Sequence, residues 1–248
     1  MRGEEQKLRQ QIIDHCLAMN ASGLNQGTSG NISVRFGDDM LISPSGIAYQ
    51  TLKPEMIATM AIDDASGSWT GPLKPSSEWH FHQALLQDRP DANAVVHAHP
   101  TYCTTLAILR KDIPACHYMI AAFGGNNVRC SDYATYGTKS LSDLAVEAMK
   151  DRTACLLGNH GMIAIGDTLP KAMWRAVELE TIARQYYFSL QLGNPVILSD
   201  ADVEETLAKF TTYGLQETDD RKNYPARKAK NGRGRKSQTM AAGTGGES

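Results

Sequence analysis

Two histidines stand two residues apart in His97-Ala98-His99-Pro100, directly after the apolar run Ala94-Val95-Val96. If that run is a β-strand, residues two apart share a face. His97 and His99 would then present two imidazoles side by side, half of a zinc site. A third histidine, His160, lies in Gly158-Asn159-His160-Gly161, and Glu78 follows the pair Ser76-Ser77. Three imidazoles and a carboxylate suit Zn²⁺, one ion per subunit, with Mn²⁺ or Co²⁺ as substitutes. A carboxylate ligand is easily displaced, so a substrate could take its place and free Glu78 as a base. The set points to a metal enzyme.

Three short segments have the composition of an anion cradle: Gly30-Asn31, Ser45-Gly46 and Ser76-Ser77. Glycine lets backbone N–H groups approach a phosphate closely, and serine hydroxyls donate to it. Ser76-Ser77 at a helix start adds the favourable end of the helix dipole. Each alone reads equally well as an ordinary turn or cap, and only order and composition link them. Tyr118 and Tyr213 are phenols able to donate a proton to a developing alkoxide, although a lone tyrosine is more often a packing residue. His80 and His82 fall on an expected helix, where positions i and i+2 diverge, and are not assigned to the site. His15 has no partner in sequence.

The elements that must position these residues follow from periodicity and breakers. Leu8 to Met19 recur at helical spacing, and Gly23 can end that helix. Ile32–Phe36 and Met40–Ile42 alternate around Gly37-Asp38-Asp39 as a β-hairpin. Met56–Ile62 reads as a strand. Pro75-Ser76-Ser77-Glu78 reads as a helix start, with a serine N-cap and an acid in the first turn, and that helix ends before Pro90. Ala94–His97 is a strand and Thr101–Arg110 a helix. Ile113–Gly125 is ambiguous, with a short strand and a glycine turn. Ser140–Lys150 is helical, Ala154–Leu157 and Met162–Ile165 form a hairpin whose tip carries His160, and Leu169–Leu192 and Ala201–Phe210 are helices. Hairpins dominate, which predicts an α/β (α+β-like) architecture with a mainly antiparallel sheet flanked by helices. Neither G-x-G-x-x-G nor a P-loop occurs, so nucleotide-cofactor readings have little support.

The 248 residues are 42% hydrophobic and 21% charged, enough for a substantial core. No apolar run reaches membrane-spanning length, and the charged start, Met1 to Lys7, is not followed by a signal-peptide segment. The expected compartment is the cytoplasm. Five scattered cysteines, none in C-x-x-C spacing, read as reduced thiols. The net charge of −2 conceals an asymmetry: residues 221–248 carry eight Lys or Arg and one acid, or +7, leaving −9 on residues 1–220. The tail reads as a solvated, disordered extension. An acidic body makes nucleic acid an improbable partner.

Six motifs in unbroken order then resemble the class II aldolase/adducin family: 23–35 (GLNQGTSGNISVR), 75–82 (PSSEWHFH), 93–99 (NAVVHAH), 117–122 (HYMIAA), 133–138 (YATYGT) and 209–215 (KFTTYGL). The likeness runs over about residues 5–216, which defines an expected aldolase domain at 1–216 and a basic tail at 217–248. It implies a single-domain α/β/α sandwich around a largely antiparallel sheet, assembled as a homotetramer with active sites between subunits. By resemblance, Glu78, His97, His99 and His160 are the zinc ligands, with Glu78 also the catalytic acid/base. Gly30, Asn31, Ser45, Gly46, Ser76 and Ser77 bind the substrate phosphate. Tyr118 protonates the aldehyde oxygen of a neighbouring subunit's site, and Tyr213 is a second tyrosine near the C-terminus. The implied reaction is reversible cleavage of a ketose 1-phosphate, L-fuculose 1-phosphate being the expected sugar, to dihydroxyacetone phosphate and an aldehyde. Ser45, Pro100, Tyr136 and Asn159 depart from the best-matching pattern, which has threonine, alanine, phenylalanine and histidine there. Alternatives within the resemblance are a 5-deoxyribulose or 5-methylthioribulose 1-phosphate aldolase, a 4-epimerase (which carries aspartate at the Glu78 position), and an adducin-like scaffold without ligands.

Overall fold

The hairpin expected at the start of the chain forms as β1 (Asn31–Phe36) and β2 (Asp39–Ile42), turning at Gly37 with φ +62°. The computed structural model describes residues 3–210; Tyr213 and the basic tail lie outside them. Strand β3 (Ala58–Ala61) pairs with β2, and β4 (Ala94–Ala98) pairs with β1 on its other side. The second hairpin, β7 (Ala154–Leu157) and β8 (Gly161–Gly166), adds through β8 to β4. The result is a six-stranded sheet in the order β3-β2-β1-β4-β8-β7, antiparallel at every pairing.

Six helices complete the described chain: α1 (Gly3–Ala21), α2 (Trp79–Asp88), α3 (Thr101–Ile108), α4 (Lys139–Ala148), α5 (Leu169–Leu192) and α6 (Asp200–Phe210). Strand alternation sorts them into two layers. In β4, Ala94, Val96 and Ala98 pack with residues of α1, α3 and α5, whereas Val95 joins a second core with Phe81 and Leu85 of α2 and Leu141 and Ala145 of α4. The architecture is therefore the expected α/β/α sandwich. None of these helices is long and apolar enough to cross a membrane.

Two local expectations need correction, and a third segment is filled in. The strand read at Met56–Ile62 is shorter, because Pro54 starts a 3₁₀ turn at Pro54–Met56. The ambiguous segment 113–125 holds β5 (Ile113–Pro114) and a 3₁₀ helix, Tyr118–Phe123, ended by Gly124 at φ +90°. The partner of β5 is β6 (Asn127–Val128), too short for any period to show. Finally, α2 has Glu78, not a serine, as its N-cap residue, and the Glu78 side chain makes no cap. Ser76 Oγ accepts the Glu78 N–H instead, at 3.2 Å.

Candidate metal centre and active site

The Glu78 carboxylate leaves its own helix uncapped because it is committed elsewhere. Oε2 lies 3.3 Å from His97 Nε2 and accepts a hydrogen bond from Asn31 Nδ2 at 2.9 Å. Oε1 is 3.1 Å from His160 Nε2 yet is buried without a directed hydrogen bond. His97 Nε2 and His99 Nε2 are 2.9 Å apart, and ligand atoms of His97, His99 and His160 all lie within 4.8 Å of one another. Each side chain arrives as its element dictates. His97 is the penultimate residue of β4 and His99 lies just past its end; His160 tips the β7–β8 hairpin; Glu78 opens α2.

The donor set fits a divalent cation. His97 Nδ1 donates to the Met162 carbonyl at 2.8 Å. That bond places the ring proton on Nδ1 and leaves the Nε2 lone pair facing the cluster, as a ligand must. Burial pushes His97 down to about 3, so the ring is neutral near pH 7. Burial, with the His160 charge, also lowers His99. For Glu78, burial acts to raise the carboxyl, but His97, His160 and the Asn31 donor outweigh it and hold it below the usual carboxylate range. A buried carboxylate held below its usual range, with one oxygen lacking a directed hydrogen bond and three imidazoles converging beside it, is a donor set that suits a cation.

The surrounding backbone is held in place. Asn159 adopts φ +55° at the hairpin tip, and Arg110, just past the end of α3, adopts φ +52°. Arg110 Nε and Nη2 both donate to Asn159 Oδ1, at 2.8 and 2.6 Å, clamping the turn that carries His160. Helix α3 follows the His99-Pro100 step, and Pro100, its N-cap residue, offers no side-chain cap. Glu180 of α5 replaces it: its two oxygens accept from Tyr102 N and Cys103 N, each at 2.9 Å.

The three glycine- and serine-rich segments meet around one cavity of about 430 Å³, lined by Gly30, Asn31, Ser45, Gly46, Ser76, Ser77, Glu78, His99 and His160 together with Tyr133, Tyr136 and Asn159. Backbone bonds join the loops directly: Ser76 N donates to Ser43 O at 2.9 Å and Ser45 N to Lys74 O at 3.3 Å. Tyr49 Oη donates to Gly30 O at 2.5 Å. A Cβ on Gly30 would sit 2.8 Å from the His97 carbonyl, so only glycine permits that approach. Gly137, at φ +71°, packs equally close to the Ser77 carbonyl and seats the Tyr133–Tyr136 segment on the rim.

The family pattern described as Class II Aldolase and Adducin N-terminal domain matches residues 10–187. The chain belongs to the class II aldolase and adducin family. It is 50% identical over 214 residues to an L-fuculose phosphate aldolase of Escherichia coli strain K12, covering 86% of this chain and 98% of that one. It is also 50% identical over 214 residues to a 5-methylthioribulose-1-phosphate/5-deoxyribulose-1-phosphate aldolase of Rhodospirillum rubrum, covering 86% and 96%. A solved L-fuculose 1-phosphate aldolase superposes with a TM-score of 0.79 at 40% identity, over 83% of this chain and 96% of that one. The protein is an enzyme of the class II aldolase type, from a metal-dependent family.

Ten of the twelve residues singled out from sequence meet here: nine line the cavity, and His97 sits fully buried behind them. Tyr118 is exposed on its 3₁₀ helix and does not line the cavity. Sequence reasoning missed the supporting residues: Tyr49, Arg110, Glu180, Ser33 and His82. His82, set aside for its i, i+2 spacing from His80, is fully buried, with Nε2 2.5 Å from Asn31 Oδ1 and Nδ1 2.8 Å from Ser33 Oγ.

Proposed function

We propose that this enzyme reversibly cleaves a ketose 1-phosphate, L-fuculose 1-phosphate first, to dihydroxyacetone phosphate and L-lactaldehyde with one Zn²⁺ per subunit. The observation that carries the reading is the ionised, buried Glu78, facing three imidazoles and opening on the same cavity as the serine and glycine loops. Glu78, His97, His99 and His160 would hold the ion, which supplies Lewis acidity toward substrate oxygens when bound. No lysine lines the cavity among the described residues, so a Schiff base has no amine there.

The chain's own residues supply the rest. Gly30, Asn31, Ser45, Gly46, Ser76 and Ser77 would receive the phosphate through N–H groups and hydroxyls, converting remote binding energy into orientation of the reacting carbons. In the synthetic direction Glu78 removes a C3 proton from dihydroxyacetone phosphate; in cleavage it returns that proton. Tyr118, exposed and away from the cavity of its own subunit, would act on a neighbour's site in a homotetramer, exchanging a proton with the C4 oxygen. Tyr213 would assist from the end of an aldolase domain running to residue 216. The cytoplasm is the expected compartment.

A second sugar has its own support. The relative named for 5-methylthioribulose and 5-deoxyribulose 1-phosphates is as similar as the one named for fuculose phosphate, and Tyr133 and Tyr136 stand exposed on the rim where the aldehyde half would lie. Glutamate rather than aspartate at position 78 favours the aldolase over the epimerase. The test is a panel of L-fuculose, L-rhamnulose, 5-deoxyribulose and 5-methylthioribulose 1-phosphates with coupled detection of dihydroxyacetone phosphate, run beside Glu78→Gln. Glu78→Gln is expected to retain some metal and lose most turnover on every substrate. Near-normal turnover would remove Glu78 from the mechanism, and no dihydroxyacetone phosphate from any sugar would overturn the reaction.

A further inference from the structure

Helix α2 and strand β1 meet along a line of four buried polar side chains that ends at Glu78. Glu78 and His82 are four residues apart and share a face of α2; Asn31 and Ser33 are two apart and share a face of β1. The pairs interlock as Ser33 Oγ···His82 Nδ1 at 2.8 Å, His82 Nε2···Asn31 Oδ1 at 2.5 Å and Asn31 Nδ2···Glu78 Oε2 at 2.9 Å. Ser33 and His82 are fully buried, Asn31 and Glu78 nearly so.

The direction of every hydrogen in this line is set from the carboxylate end. An ionised Glu78 can only accept, so Asn31 presents its NH₂ to Glu78 and its carbonyl oxygen to His82. His82 Nε2 must then carry the ring proton and donate. Nδ1 is left as an acceptor, and the Ser33 hydroxyl donates to it. With Glu78 ionised and His82 neutral, no other arrangement satisfies all four buried groups.

We propose that His82 is a positioning residue for the aldolase reaction, acting through Asn31 to hold one oxygen of Glu78 so that the other is presented to the cavity. The proposal rests on the reading of Glu78 as the acid/base. It also gives Asn31 a duty beyond phosphate binding: its amide is oriented from behind by the imidazole. Burial pushes His82 down to about 3, which keeps it neutral with one donor and one acceptor. Without the imidazole donor the Asn31 amide is free to flip and set its oxygen against the carboxylate, which repels Glu78 from its place. Partners that orient a metal-site carboxylate from outside typically change affinity or activity by about 10–100-fold when removed.

The test compares His82→Leu with His82→Gln, whose amide nitrogen can occupy the Nε2 position, at metal content verified by elemental analysis. His82→Leu is expected to lower kcat by about 10–100-fold with KM little changed, and His82→Gln to restore most of that loss. In a Glu78→Gln background His82→Leu should cost nothing further, because its effect passes through the carboxylate. If Glu78→Gln abolishes turnover while His82→Leu keeps kcat within threefold, the positioning role is overturned and the proposed function stands. If Leu and Gln are equally impaired, His82 only packs, and the inference again fails. A readout free of activity and of the variants' folding is the ¹⁵N spectrum of wild-type imidazoles without metal. It should show a slowly exchanging Nε2–H tautomer for His82, and an Nδ1–H tautomer would overturn the assignment.

Discussion

Lowering the pH from 7 to 5 should remove about 4 kcal/mol from the stability of the metal-free protein through His82 and His97 alone, half by each. Burial pushes both rings down to about 3, whereas an unfolded histidine titrates near about 6.5. Below about pH 6.5 the unfolded chain therefore binds protons that the folded chain refuses, and stability falls as pH falls until about pH 3. At pH 5 each ring contributes about 2 kcal/mol of this loss, from a free-energy difference of about 1.4 kcal/mol per pH unit over about 1.5 units. Against a native total of about 5–15 kcal/mol, that is a large fraction. Burial lowers His80 and His99 too, so they act in the same direction. Glu78, held below the usual carboxylate range, also loses stability on acidification, but below its unfolded value near 4.5. The assay is urea unfolding of chelator-treated protein at pH 7 and pH 5, with His82→Gln as the internal comparison. The variant should lose about 2 kcal/mol less on acidification than the wild type. A midpoint that stays fixed or rises at pH 5 would refute the sign. Equal losses in the two proteins would remove His82 from the linkage.

Two further substitutions probe how the site is held. Gly161→Ala would place a Cβ 2.6 Å from the Ala98 carbonyl and 2.6 Å from His99 Cδ2. The carbonyl belongs to a paired strand, so the ring must move; stability should drop by about 1–3 kcal/mol and Zn²⁺ affinity at least tenfold by calorimetric titration, and unchanged affinity would disprove the displacement. Glu180→Ala would leave Tyr102 N and Cys103 N without their acceptor. A loss of about 1–3 kcal/mol with faster hydrogen exchange confined to the first turn of α3 is expected, and unaltered exchange there would show that the carboxylate is no cap.

The parts legible in sequence were those set by short-range pattern. The His97/His99 pair follows from the period of a strand, and β4 indeed carries His97 at its end. The tip position of His160 follows from two apolar runs around a glycine-flanked turn, and β7 and β8 pair there. The cap of α3 was not legible, because Glu180 stands 78 residues from Tyr102 and reaches it only after α5 folds back. Serine was the natural N-cap for α2 on propensity. Glu78 stands at that position without capping, because its carboxylate faces His97, His160 and Asn31 instead, and a helix end loses less than a buried anion would.

Residues two apart on a helix do diverge: His80 stacks on Trp79 with ring centroids 3.7 Å apart, while His82 turns inward to β1. Divergence excludes a shared ion but says nothing about which of the two faces the site. That follows from a different spacing. With Glu78 at the start of α2 facing the imidazoles, position i+4 looks at the same strand, and with Asn31 meeting Glu78 from β1, position i+2 looks at the same helix face. His82 and Ser33 are those two positions. A buried polar residue at either must find a partner, and here each finds the other.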